Sequence, residues 1–336
     1  MPNQLWIILA LLCHHQVPSF GQSALPHNIG QRTITFTDSS RHRPLITEIW
    51  YPTTDTSATR HPIIRNGRLP ADRRPLIMLS HGTGGGRLTL EWLAQAIAEN
   101  GYIVAAVDHW GNTYDNPMPL EFLKPWERPL DISFVITELL HDKEVGMVID
   151  PDRIGAIGFS LGGYTVIALA GGEINYREFL HYFKEVSPHE LDLPEFPGLI
   201  KYLDDPALLS GIQHAPPLKD SRIKAFFAIS PALGPGFLTK LQTNKITAPV
   251  FITGSQNDSI TPVKKNARTF HQLIRGSHYY EFPGRTGHYV MLNEASDDLK
   301  RSLPILFSDD PSVDRHQIHI QVDNLAVRFF NGSLKN

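Results

Sequence analysis

Apolar positions change their period several times along the chain, and each change marks an element. Residues 33–37 alternate apolar and polar side chains, as a half-buried strand does. Residues 45–52 answer them after the turn formers Asp38, Ser39, Ser40 and Arg41, so an antiparallel hairpin is predicted. Residues 53–73 are polar and dotted with proline, which predicts a loop. Beyond them the alternation gives way to unbroken apolar runs at 76–80, 102–107, 154–158, 223–229 and 249–253, with a shorter run at 279–282. Such runs fit strands covered on both faces. Between them, residues 88–99, 129–141, 163–170 and 263–274 space their apolar positions as helices do, and 323–330 predicts a closing helix. Strands alternating with helices predict an α/β fold, a mostly parallel sheet flanked by helices, with the hairpin at one edge.

Two segments depart from this rhythm. Residues 173–222 separate a helix from the next strand and mix aromatic side chains (Tyr176, Phe179, Tyr182, Phe183) with many prolines. An unstructured loop of that length is improbable inside a compact domain, so the segment is read as a helical cap inserted over the sheet. At the N-terminus, residues 5–13 form an apolar core too short to span a bilayer, and small residues follow at Ser19, Gly21 and Ser23. This reads as a signal peptide over 1–23, leaving one domain over 24–336 and an exported protein. Cleavage there would remove Cys13, the chain's single cysteine, and with it any thiol or disulfide chemistry.

Composition narrows the function classes. Lys and Arg total 31 against 34 Asp and Glu, a formal net charge of -3, which gives no electrostatic reason to expect nucleic acid. The 16 His fall at no metal-ligand spacing, so neither metal nor other cofactor is expected. No further apolar run is long enough for a transmembrane segment.

Residues 153–166 read RIGAIGFSLGGYTV. A strand running straight into a helix must bend sharply, and Gly158 and Gly162 remove side chains that would collide there. Ser160 is left at the apex, above the carboxyl ends of the strands, in a nucleophile-elbow pattern. A serine hydroxyl needs a base to attack at neutral pH. His288 sits in a glycine-flanked loop after the strand at 279–282. The base needs an acid, and Asp258 follows the strand at 249–253, whereas the strand at 223–229 ends in Ser230 and Pro231 with no carboxylate. An oxyanion hole needs two backbone donors. Leu161 supplies one, and Thr83, in the glycine-rich loop His81-Gly82-Thr83-Gly84-Gly85-Gly86, supplies the other. His109, Trp110 and Tyr114 follow another strand's carboxyl end and are read as substrate-pocket residues.

With these motifs assembled, the sequence resembles the α/β-hydrolase superfamily. More narrowly it resembles the bacterial group related to platelet-activating-factor acetylhydrolases and to predicted dienelactone hydrolases. The matching stretches are Trp50-Tyr51-Pro52, Ser80-His81-Gly82-Thr83-Gly84, Gly158-Phe159-Ser160-Leu161-Gly162-Gly163, Gly254-Ser255-Gln256-Asn257-Asp258 and Gly287-His288. The resemblance implies Ser160 as nucleophile, His288 as base, Asp258 as acid, and the amides of Thr83 and Leu161 as oxyanion donors. It departs from dienelactone hydrolases in carrying serine, not cysteine, as nucleophile, and from the animal acetylhydrolases in placing the acid one strand later, as bacterial cutinases do. The reading is an exported serine esterase acting on a small-molecule ester or lipid. Its alternatives are a lipase or phospholipid-ester hydrolase with peripheral membrane contact, a cutinase-like polyester hydrolase, a peptidase, and a silent binding protein on a hydrolase scaffold.

Overall fold

The computed structural model describes residues 28–56 and 63–335. The expected signal peptide lies outside the described residues. Among the described residues nine strands form one sheet: β1 (Asn28–Asp38), β2 (Arg43–Thr53), β3 (Ile63–Arg65), β4 (Arg74–Ser80), β5 (Ile103–Val107), β6 (Ile149–Phe159), β7 (Ile223–Ile229), β8 (Val250–Ser255) and β9 (His278–Phe282). Their order is β3-β1-β2-β5-β4-β6-β7-β8-β9. The strands from β5 across to β9 pair in parallel, and β1 and β2 form the antiparallel hairpin, with β2 antiparallel to β5. The Asp38 carboxylate closes the hairpin, accepting from Ser40 N at 3.0 Å and Arg41 N at 3.2 Å. β3 lies within the stretch read as a loop. It pairs with β1 over three residues, too few to leave a periodic signal.

Side-chain alternation along the central strands feeds two hydrophobic layers. Leu76 and Met78 of β4 join one layer, which packs beneath the helices Glu127–His141 and Leu161–Ala170. Ile77 and Leu79 join the other, which packs beneath the helices Glu91–Glu99 and Arg315–Leu334. The last helix is longer than its apolar pattern predicts. Asp314 caps it by accepting from Gln317 N at 3.1 Å, and its first turns mix Ile318 with His316, Gln317 and His319.

Within 173–222 the chain forms short helices, Tyr176–His181 and Pro206–Gln213, joined by tighter and wider single turns. Phe179, Phe183, Leu191, Leu199 and Leu208 form a third apolar cluster with Phe122, Leu123 and Trp126. The segment is thus anchored on the connection between β5 and the following helix. Among the described residues, no helix is long and apolar enough to cross a membrane.

Candidate active site

β6 ends at Phe159 and a helix begins at Leu161, so Ser160 takes the whole reversal. Its backbone adopts φ 57° and ψ −118°, a conformation costing on the order of 1–3 kcal/mol for a residue with a Cβ. The flanking glycines are sterically required. A Cβ on Gly158 would lie 2.1 Å from the Gly162 carbonyl oxygen, and one on Gly162 would lie 2.0 Å from the Ser80 carbonyl oxygen. Ser160 N donates to the Ile229 carbonyl at 2.9 Å, which ties the bend to β7.

The carboxyl ends of β8 and β9 bring the other two side chains to this bend. His288 Nε2 lies 2.9 Å from Ser160 Oγ, and its Nδ1 lies 2.7 Å from Asp258 Oδ2. A carboxylate accepts only, so Nδ1 carries the proton and Nε2 is left to accept from the serine hydroxyl. Asp258 is itself fixed. Its Oδ1 accepts from Thr261 N at 2.7 Å and Ile260 N at 3.0 Å, and Thr261 Oγ1 donates to Oδ2 at 2.9 Å. Asn257 N donates to the Thr286 carbonyl at 3.0 Å, joining the loop of the acid to the loop of the histidine. The Phe159 ring packs on the imidazole with centroids 4.7 Å apart. All three side chains are buried.

Ser160, Leu161 and Thr83 border one cavity of about 70 Å³. No hydrogen bond among the described residues engages the N–H of Thr83 or of Leu161. The opposite wall is apolar and comes largely from the inserted segment, through Phe179, Phe183, Leu191 and Leu199. Two carboxyls interrupt it. Glu190 accepts from Lys265 Nζ at 2.9 Å, and Glu195 Oε1 accepts from Tyr289 OH at 2.9 Å, with burial pushing the Glu195 pKa upward. Thr261, Glu195 and Tyr289 were not singled out in the sequence. Thr261 stands three residues after Asp258, a capping distance that is itself a sequence signal. Glu195 lies in a segment without periodicity and offers no signal.

The structure does not bring His109, Trp110 and Tyr114 to this cavity. β4 separates β5 from β6, so the end of β5 lies away from Ser160. His109 is fully buried, with Nε2 2.9 Å from Ser80 Oγ and Nδ1 3.0 Å from Asp131 Oδ2. Trp110 packs against the core, its carbonyl accepting from Arg43 Nη2 at 3.0 Å, and Tyr114 is 73% exposed. Among the described residues, no group of three or more His, Cys, Asp or Glu side chains is placed to hold a metal ion.

Comparison with known proteins bears on this arrangement in three ways. Residues 37–114 match the family model of platelet-activating factor acetylhydrolase, isoform II. That stretch holds the second strand of the hairpin, β3, β4, the glycine-rich loop and β5. Over 82 residues the chain is 29% identical to Lipase 1 of Moraxella sp. (strain TA144), a match covering 24% of this chain and 23% of that lipase. The chain therefore spans about a quarter of that relative's length. Ferulic acid esterase from Streptomyces cinnamoneus superposes over 93% of this chain and 91% of its own, with a TM-score of 0.63 and 18% identity. That superposition shows the α/β-hydrolase fold.

Proposed function

We propose that this chain, an α/β-hydrolase resembling the platelet-activating-factor acetylhydrolases, is an exported serine esterase with Ser160, His288 and Asp258 as its catalytic triad. Ser160 Oγ attacks the ester carbonyl carbon while His288 Nε2 takes the hydroxyl proton. The N–H groups of Thr83 and Leu161 receive the negative charge that develops on the carbonyl oxygen. Asp258 stabilises the imidazolium, which then protonates the departing alkoxide. A water deprotonated by His288 cleaves the acyl-enzyme, releasing the acid and restoring the serine. The observation that carries this reading is the 2.9 Å contact between His288 Nε2 and a serine held at positive φ beside a cavity.

Cavity size supports short acyl groups. An apolar cavity of about 150 Å³ takes one benzene, and this one, at about 70 Å³, is less than half as large. That favours the esterase over the lipase and polyester alternatives. Export rests on the apolar core at 5–13, and N-terminal sequencing of secreted protein tests it.

A fluorophosphonate probe tests the chemistry. The expected result is stoichiometric labelling that disappears in Ser160→Ala, with p-nitrophenyl acetate and butyrate hydrolysed faster than the dodecanoate. Folded protein that takes no label would overturn the triad and leave the binding-protein reading.

A further inference from the structure

Arg128 is 1% exposed, yet among the described residues it forms no ion pair. A buried guanidinium without a carboxylate partner is costly to fold, and burial lowers its pKa to about 9. Its donors go to neutral acceptors. Nη2 donates to the His81 carbonyl and, at 3.4 Å, to Ser80 Oγ. Nη1 donates to Asn112 Oδ1 at 3.2 Å, and Nε to Thr165 Oγ1 at 3.4 Å.

Those acceptors lead to both sides of the anion site. Asn112 Oδ1 also accepts from Gly84 N at 3.0 Å, fixing the peptide that follows Thr83. The His81 carbonyl opens the same loop. On the other side, Thr165 Oγ1 donates to the Leu161 carbonyl at 3.0 Å. We propose that Arg128 is a positioning residue that, with Asn112, holds the Thr83 and Leu161 amides in register for one developing oxyanion. This rests on the serine-esterase reading. Only two amides set to one point can share a charge, and a single guanidinium reaching both supporting segments sets their separation. The cost of burying Arg128 is then the cost of a preorganised site.

Steady-state kinetics on the full chain test this, with kcat expressed per Ser160 titrated to completion by fluorophosphonate. Arg128→Lys and Asn112→Leu are expected to lower kcat about 10- to 100-fold, less than the roughly 100- to 1,000-fold loss of a whole donor. KM should stay within about threefold, and the inhibition constant of a boronic acid should rise in parallel with the fall in kcat. Asn112→Asp keeps an acceptor for Gly84 N and is expected to recover most of the loss. A kcat per titrated site within about twofold of wild type in both variants would sink the proposal. So would Asn112→Asp being as impaired as Asn112→Leu, which would reduce the effect to packing. Wild-type protein that takes no fluorophosphonate would instead overturn the esterase reading itself.

Discussion

Ser160–His288–Asp258 and Ser80–His109–Asp131 present the same three side chains at nearly the same spacings. The serine–histidine and histidine–aspartate distances are 2.9 and 2.7 Å in the first array and 2.9 and 3.0 Å in the second. Their surroundings differ in every other respect. Ser160 projects from a strained bend onto a cavity. Ser80 ends a regular strand, 1% exposed, with no positive φ. Asp258 accepts from backbone amides, a hydroxyl and one imidazole. Asp131 is shared with Arg43, at 2.8 and 3.0 Å, and with Arg41 at 3.0 Å. Burial, with Arg128, Arg43 and Arg41 nearby, pushes the His109 pKa well below its ordinary value. An imidazole so hard to protonate is a poor acceptor for a serine proton. Spacing alone does not make a nucleophile; it also needs access, a base that can take charge, and donors for the oxyanion.

The sharpest way to break this comparison is to remove each serine. Ser160→Ala is expected to lower kcat by about a million-fold, whereas Ser80→Ala should cost less than about tenfold, with fluorophosphonate labelling of Ser160 intact. Equal losses would mean that the two arrays act as one. Replacing the acid comes next. Asp258→Asn keeps the shape but favours the wrong imidazole tautomer, and kcat should fall about 10⁴-fold with KM little changed.

The buried array should show itself in stability. In the unfolded chain His109 binds a proton below a pKa of about 6.5, and in the fold it does so only at lower pH. The unfolded state therefore holds more protons below that pH, and stability falls as pH drops. Above it both states are neutral and the effect vanishes. Each such histidine contributes a slope of about 1.4 kcal/mol per pH unit between its two pKa values. His81, fully buried beside Arg128, adds to this acid limb. Denaturant unfolding of His109→Gln between pH 7 and 5 should show a shallower decline than wild type by about one proton; an unchanged slope would mean that His109 is not the group responsible. The smallest expected effect is at the cap. Glu195→Gln keeps an acceptor for Tyr289 OH, so KM for short esters should shift by less than about threefold, whereas Glu195→Ala, which loses that tie, should shift it further.

The bend at Ser160 and the places of Asp258 and His288 beside it were legible because each follows a strand with its own local signature. The steric need for Gly158 and Gly162 is written into a five-residue stretch, and chain order did the rest. The central strands were legible for a similar reason, since a run covered on both faces must be apolar throughout. β3 was not, at three residues long, nor was the polar start of the last helix. The pocket assignment to His109, Trp110 and Tyr114 failed because it used only their position after a strand. The end of β5 opens instead onto Arg43, Arg128 and Asp131. Contacts between residues 47 positions apart, as in Arg128 to the His81 carbonyl, leave no trace in local pattern.

The bend at Ser160, and the presence of an acid and a histidine after the last two strands, were determined by local sequence. They depend on neighbours a few residues away. Which serine and which histidine meet at a cavity was decided by the tertiary structure. His288 and Ser160 are 128 positions apart, and the wall facing them comes from the inserted segment. Access and charge environment are sums over such distant contacts, so two arrays alike in residue type and spacing end as different chemical objects.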